Sequence, residues 1–117
     1  MMETLQKGEH ARQGDIICFS VDEFPPGLLN LVKDKEFKSS QMHTVAEGEV
    51  TNHFHVVEGG CKAVAVEDDF ESHLVEVTDD EATFTHDEHD SFKLPKGKYM
   101  FHRQQEYSPD ELKLVAD

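Results

Sequence analysis

About every eight to twelve residues this chain is broken by Gly, Pro or paired acids, and between the breaks lie short runs rich in β-branched and aromatic residues. Residues 16–21, IICFSV, follow the turn-like Gln13-Gly14-Asp15 and stop at Phe24-Pro25-Pro26-Gly27, where proline removes a ladder donor and restrains its predecessor. Residues 42–46, 47–58, 61–66, 74–77, 82–86, 92–94 and 98–103 continue the series. Glu47-Gly48-Glu49, Gly59-Gly60, Glu67-Asp68-Asp69, Asp79-Asp80 and Pro95-Lys96-Gly97 read as the kinks and turns between them. The pattern predicts an all-β fold: one small domain, a β-barrel or a two-sheet sandwich. Residues 28–32 are too few to arbitrate between a helical turn and a buried connection.

Only the end of the chain changes period. Ser108-Pro109-Asp110-Glu111 carries an N-cap serine, a proline at the first helical position and a capping-box glutamate, so a short carboxy-terminal helix is expected. Residues 1–11 are polar and unpatterned, and read as a flexible tail before a single domain over 12–117. At 117 residues the chain suffices for one hydrophobic core. No apolar run approaches the ~18 residues of a membrane span, and the amino terminus lacks an apolar signal core. The expected location is cytoplasmic, with Cys18 and Cys61 as reduced, buried thiols.

Twenty-five acids against eleven Lys and Arg give a formal charge of −14, a field that repels phosphate backbones and argues against direct nucleic-acid binding. The histidines are distributed unevenly. His53 and His55 sit next-but-one in EGEVTNHFHVVE, and a strand there places Thr51, His53, His55 and Val57 on one face. His86 and His89 follow in THDEHD. Imidazoles with one carboxylate suit a divalent ion such as Zn, Fe, Mn or Ni. The expected ligands are His53, His55 and His89, completed by His86 or Glu58, with Glu88 orienting an imidazole and Glu49 able to move protons. An open position on the metal would activate water or hold an oxygen-bearing substrate, making the protein a metal-dependent enzyme.

The competing reading puts the HxH pair on the solvent face, with Phe54 and Val56 buried. His43 and His73 read as surface residues, His102 is ambiguous, and Arg103, Glu106 and Tyr107 read as a local polar network. A different functional class is an acidic interaction protein, mimicking DNA or inhibiting a basic partner without catalysis. Small β-domains also close homodimers through edge strands. No GxSxG elbow, P-loop or GxGxxG occurs.

Two resemblances attach to these residues. His53-Phe54-His55 with Glu58, and later Pro95-Lys96-Gly97 with His102, resemble fragments of the two cupin motifs, which implies a small barrel holding a metal. The spacing departs from that pattern, since Glu58 follows His55 one residue too soon and His102 lies two beyond its place. Over residues 12–117 the series RQGDI, AEGEVTNHFH, THDEH and RQQEYSP resembles a family of small bacterial and phage proteins without an assigned activity. That likeness implies a shared compact fold, and leaves the substrate or protein partner open.

Overall fold

The structure is a computed structural model that describes residues 2–47 and 53–103. Its elements are β1 (Glu3–Thr4), β2 (His10–Gln13), β3 (Ile16–Val21), α1 (Pro26–Leu31), β4 (Lys38–Glu47), β5 (Phe54–Ala65), β6 (His73–Thr85) and β7 (Phe92–Arg103). They form one seven-stranded sheet in the order β2-β3-β7-β6-β5-β4, with β1 added to β7. All pairings are antiparallel except β1 with β7. The all-β expectation holds, but as one continuous sheet that is not a closed barrel.

Several of the expected turns are irregularities inside long strands. Gly59-Gly60 lies within β5, Asp79-Asp80 within β6 and Pro95-Lys96-Gly97 within β7. These stretches meet laterally, because the ladders slip between Glu58 and Cys61, between Val77 and Glu81, and at Gln41 between Ser40 and Met42 of β4. Bulges bend strands and raise their twist, so a row of them across four strands works as a fold line. The side-chain alternation records it: Val75 and Val77 face the same core as Ala82 and Phe84, and Leu94 the same core as Tyr99 and Phe101. Phe84 pairs with Phe92 and Phe101 with His73, at opposite ends of the β6–β7 ladder. Their rings nevertheless meet edge to face at 4.9 Å. The sheet has folded over onto itself.

Inside the roll lies the main core, which also takes Leu5, Ile16, Cys18, Val45, Val57 and Leu94. A smaller cluster of Phe24, Val32, Val64, Val66 and Leu74 occupies the other face, packed with Leu28 of α1 and with Phe37 stacked on Phe24. The stretch read as a tail up to residue 11 contributes β1 and the start of β2, and buries Leu5. Both cysteines are free and buried. The expected carboxy-terminal helix, with Glu106 and Tyr107, lies outside the described residues. No described helix is long and apolar enough to cross a membrane.

Polar contacts fasten the roll where no ladder does. Arg103 reaches the Asp15 carboxylate, Glu71 Oε2 at 2.5 Å and the Glu47 carbonyl at 2.8 Å. It therefore ties the β2–β3 turn and the end of β4 to β7, a longer reach than the local network expected of it. His43 and His73, expected on the surface, are half-buried and share a hydrogen bond, Nε2 to Nδ1, of 2.9 Å. His102 donates Nδ1–H to Ser72 Oγ at 2.6 Å, and the Ser72 hydroxyl donates onward to Asp68 at 2.6 Å. Ser72 is fully buried, which makes this chain a structural anchor for the turn before β6.

Two predictions test this frame. Gly59 sits at φ +129, and a Cβ there would lie 2.9 Å from Ala82 Cβ and 3.0 Å from Ala82 Cα. Gly59→Ala should therefore cost about 2–4 kcal/mol in urea unfolding. Asp79→Ala, which removes the acceptor for the Gly60 N–H at 2.9 Å, should cost about 1 kcal/mol. Equally small losses at both would refute the fold line.

The second concerns His73, whose pKa burial and then the neighbouring His43 lower from 6.5 to about 4. The unfolded chain takes up this proton below about pH 6.5, so the stability it contributes is complete above that pH and drains away between 6.5 and 4. After discounting for partial exposure the loss is about 2 kcal/mol. Unfolding free energies measured at pH 7 and pH 4.5 should fall less, by that amount, for His73→Gln than for the natural chain. Parallel pH profiles would contradict it.

Candidate functional site

Three pieces of chain build the site. The first is the β2–β3 hairpin, a two-residue turn in which Gly14 takes φ +61, a conformation that favours glycine. The second is the start of β5, where period two carries His55 to the same face as Val57, into the roll. His55 is 1% exposed while Phe54 is 41% exposed, which overturns the reading with Phe54 on the buried face. The third is the connection from Thr85 to Phe92, holding His86, Asp87, Glu88, His89 and Asp90.

The expected pairs come together. His55 and His86 ring centroids are 4.3 Å apart, His86 and His89 4.6 Å, His53 and His86 6.0 Å, and His55 and His89 6.1 Å. Gly14 makes room for them, since a Cβ there would stand 2.7 Å from His89 Nε2 and 3.4 Å from His55 Cε1. Glu58 is not part of the group. Three residues beyond His55, it takes the opposite face of β5 and is exposed, so the proposed completion of the ligand set by Glu58 fails on geometry. Glu49 lies outside the described residues.

Hydrogen bonds decide which nitrogens carry protons. Gln13 is 1% exposed, and its amide Nε2 donates to the Phe84 carbonyl at 3.0 Å and the Asp90 carbonyl at 2.9 Å. Both acceptors fix the amide's orientation, so Gln13 Oε1 accepts from His55 Nδ1–H at 2.9 Å. His55 therefore presents Nε2 as its lone pair, 3.6 Å from Asp15 Oδ1, while the other Asp15 oxygen meets Arg103. Burial, then the charge of His86, lowers the His55 pKa to about 4 against the opposing pull of Asp15. In His86, Nδ1 accepts the Glu88 backbone N–H at 3.0 Å, which leaves the proton on Nε2. Burial, then His89, lowers the His86 pKa as well.

Two ring nitrogens in this group, His53 Nδ1 and His86 Nε2, are buried without a hydrogen-bond partner. His53 Nδ1 is 3.3 Å from Asp87 Oδ2 but out of hydrogen-bonding alignment, and its Nε2 is 3.6 Å from Glu88 Oε1. Among the described residues, no three His, Cys, Asp or Glu side chains converge as a ready-made ligand set. Sequence reasoning saw the histidines and Glu88 but read Gln13 and Asp15 only as turn residues. One signal was present: Gln13 shares its strand face with Ala11, a residue that packs on the core. A polar side chain on an inward position beside a tight turn calls for a specific partner.

Neither a curated protein nor a solved structure matches the chain. A family model does, over residues 12–104, from the hairpin that carries Gln13 and Asp15 to the residue after Arg103. The chain belongs to the family described as a domain of unknown function (DUF8820).

Proposed function

We propose that the protein binds one divalent metal ion within the group formed by His53, His55, His86 and His89. What supports this reading above all is the buried His55 Nε2 lone pair, held 3.6 Å from Asp15 Oδ1 in a group where two further buried ring nitrogens, His53 Nδ1 and His86 Nε2, lack hydrogen-bond partners. An unsatisfied buried polar group costs roughly 1–3 kcal/mol, and native proteins tolerate few of them unless an ion, water or ligand takes up the bond. Buried His55 and His86 adjoin half-buried His53 and exposed His89, with carboxylates beside them, and a cation carrying an oxygen ligand would suit both the lone pairs and the His86 N–H. The acids contribute in a second way, because Asp87 and Glu88 flank His53 and the overall charge is −14, so cations gather near the opening.

Mixed imidazole and carboxylate donors accept Zn, Fe, Mn or Ni. Since no three such side chains converge among the described residues, uptake involves rotation of the exposed His89 side chain. A metal held by fewer than a full set of protein ligands keeps a position for water or an oxygen-bearing substrate, and this is where hydrolytic or oxygen chemistry would arise.

Elemental analysis of protein purified without a histidine tag should find about one divalent ion per chain. Zinc added at a hundredfold excess over its dissociation constant should stabilise the fold by about 2.7 kcal/mol. His55→Ala should weaken uptake at least tenfold. Absence of stoichiometric metal, with no loss of stability on chelation, would sink the proposal.

A further inference from the structure

Proton placement divides the four histidines into different roles. His55 Nδ1–H is spent on Gln13, so its Nε2 lone pair faces Asp15 Oδ1 across 3.6 Å, a gap too long for a shared proton. It is the right gap for a shared cation. Metal–nitrogen and metal–oxygen bonds near 2.0–2.2 Å at a tetrahedral angle put the two donors about 3.4 Å apart. Arg103 occupies the other Asp15 oxygen and leaves Oδ1 to the site. His89 Nε2 borders the space that Gly14 leaves empty, next to His55 Cε1.

His86 is different. It is 8% exposed and lies between the other two rings, 4.3 Å from His55 and 4.6 Å from His89 by centroid. Its Nδ1 lone pair already accepts the Glu88 N–H, so its unpartnered Nε2 carries a hydrogen and cannot ligate as it stands. A buried N–H without an acceptor, beside a metal position, matches an oxygen that only a loaded site would hold.

We infer that the cation is held by His55 Nε2, His89 and Asp15 Oδ1, and that His86 donates its Nε2–H to an oxygen ligand, water or an oxyanion, on the metal's open side. The inference rests on the metal reading above and adds to it a carboxylate ligand from the β2–β3 turn and a donor that is not a ligand. His53, beside Asp87 and Glu88, stands outside this set.

The test uses cobalt(II) as a coloured divalent probe on the untagged full chain, with Asp15→Asn, His89→Gln, His86→Phe and His86→Gln. The natural chain should bind one equivalent. Asp15→Asn and His89→Gln should lose at least tenfold in affinity, and His86→Phe should stay within about threefold. Azide or acetate should then perturb the cobalt spectrum of the natural chain, about tenfold more weakly in His86→Phe, with recovery in His86→Gln, whose amide restores a donor. A spectrum that ignores these anions but shifts with pH, less so in His86→Phe, identifies the oxygen ligand as water and equally supports the donor role.

Nitrogen NMR of the metal-free natural chain should find the Nδ1–H tautomer at His55 and the Nε2–H tautomer at His86, whatever the variants' folding. Cobalt binding lost in His86→Phe but kept in Asp15→Asn would overturn the assignment while leaving the metal reading intact. The opposite tautomer at His86 would do the same. No stoichiometric cobalt in the natural chain would overturn both.

Discussion

One sheet encloses its own core because a line of bulges crosses β4, β5, β6 and β7 at a common level. A flat antiparallel sheet of this size buries only one face, and only against another layer. Here the far ends of β6 and β7 supply that layer, as the contact between Phe84 and Phe101 shows. Glycine at 59 and 60 lets β5 bend, and Asp79 satisfies the Gly60 N–H that the bend leaves outside the ladder. Every later feature follows from this folding over, since it brings the β2–β3 turn, the start of β5 and the connection after β6 to one place.

Folding over also turns polar residues inward. His55 and Gln13 are each about 1% exposed, and each would be costly alone. Together they satisfy one another, with Gln13 also closing on the Phe84 and Asp90 carbonyls. Such a buried network locks the tautomer of His55 and the position of the histidine-bearing connection at once. Its remaining nitrogen and the Asp15 carboxylate are held opposite each other by the rest of the fold, with Arg103 fixing the carboxylate from behind.

Much of this was legible from the chain. The runs at 16–21, 74–77, 92–94 and 98–103 lie in strands as expected, whereas β1, the start of β2 and the start of β4 lack such a run, and the two histidine pairs were expected to meet, as the ring distances record. Turn residues were less informative. Gly59-Gly60, Asp79-Asp80 and Pro95-Lys96-Gly97 have the chemistry of a chain reversal, but the same chemistry makes a bulge, and the choice belongs to the neighbouring strands. Glu58 was within reach of correction, because an odd separation from His55 puts the two on opposite faces. Asp15 was not: a turn residue reaches His55 only after the whole sheet has rolled, and no local pattern encodes a contact forty residues away.

Whether the clustered imidazoles await a cation is settled most directly by X-ray absorption on the protein loaded with one equivalent of zinc. The expected result is a first shell of about four nitrogen and oxygen neighbours near 2.0–2.1 Å, with the outer-shell scattering of about two imidazoles. A shell of water oxygens without imidazole scattering would contradict it, and would leave the histidines as parts of the packed interior alone.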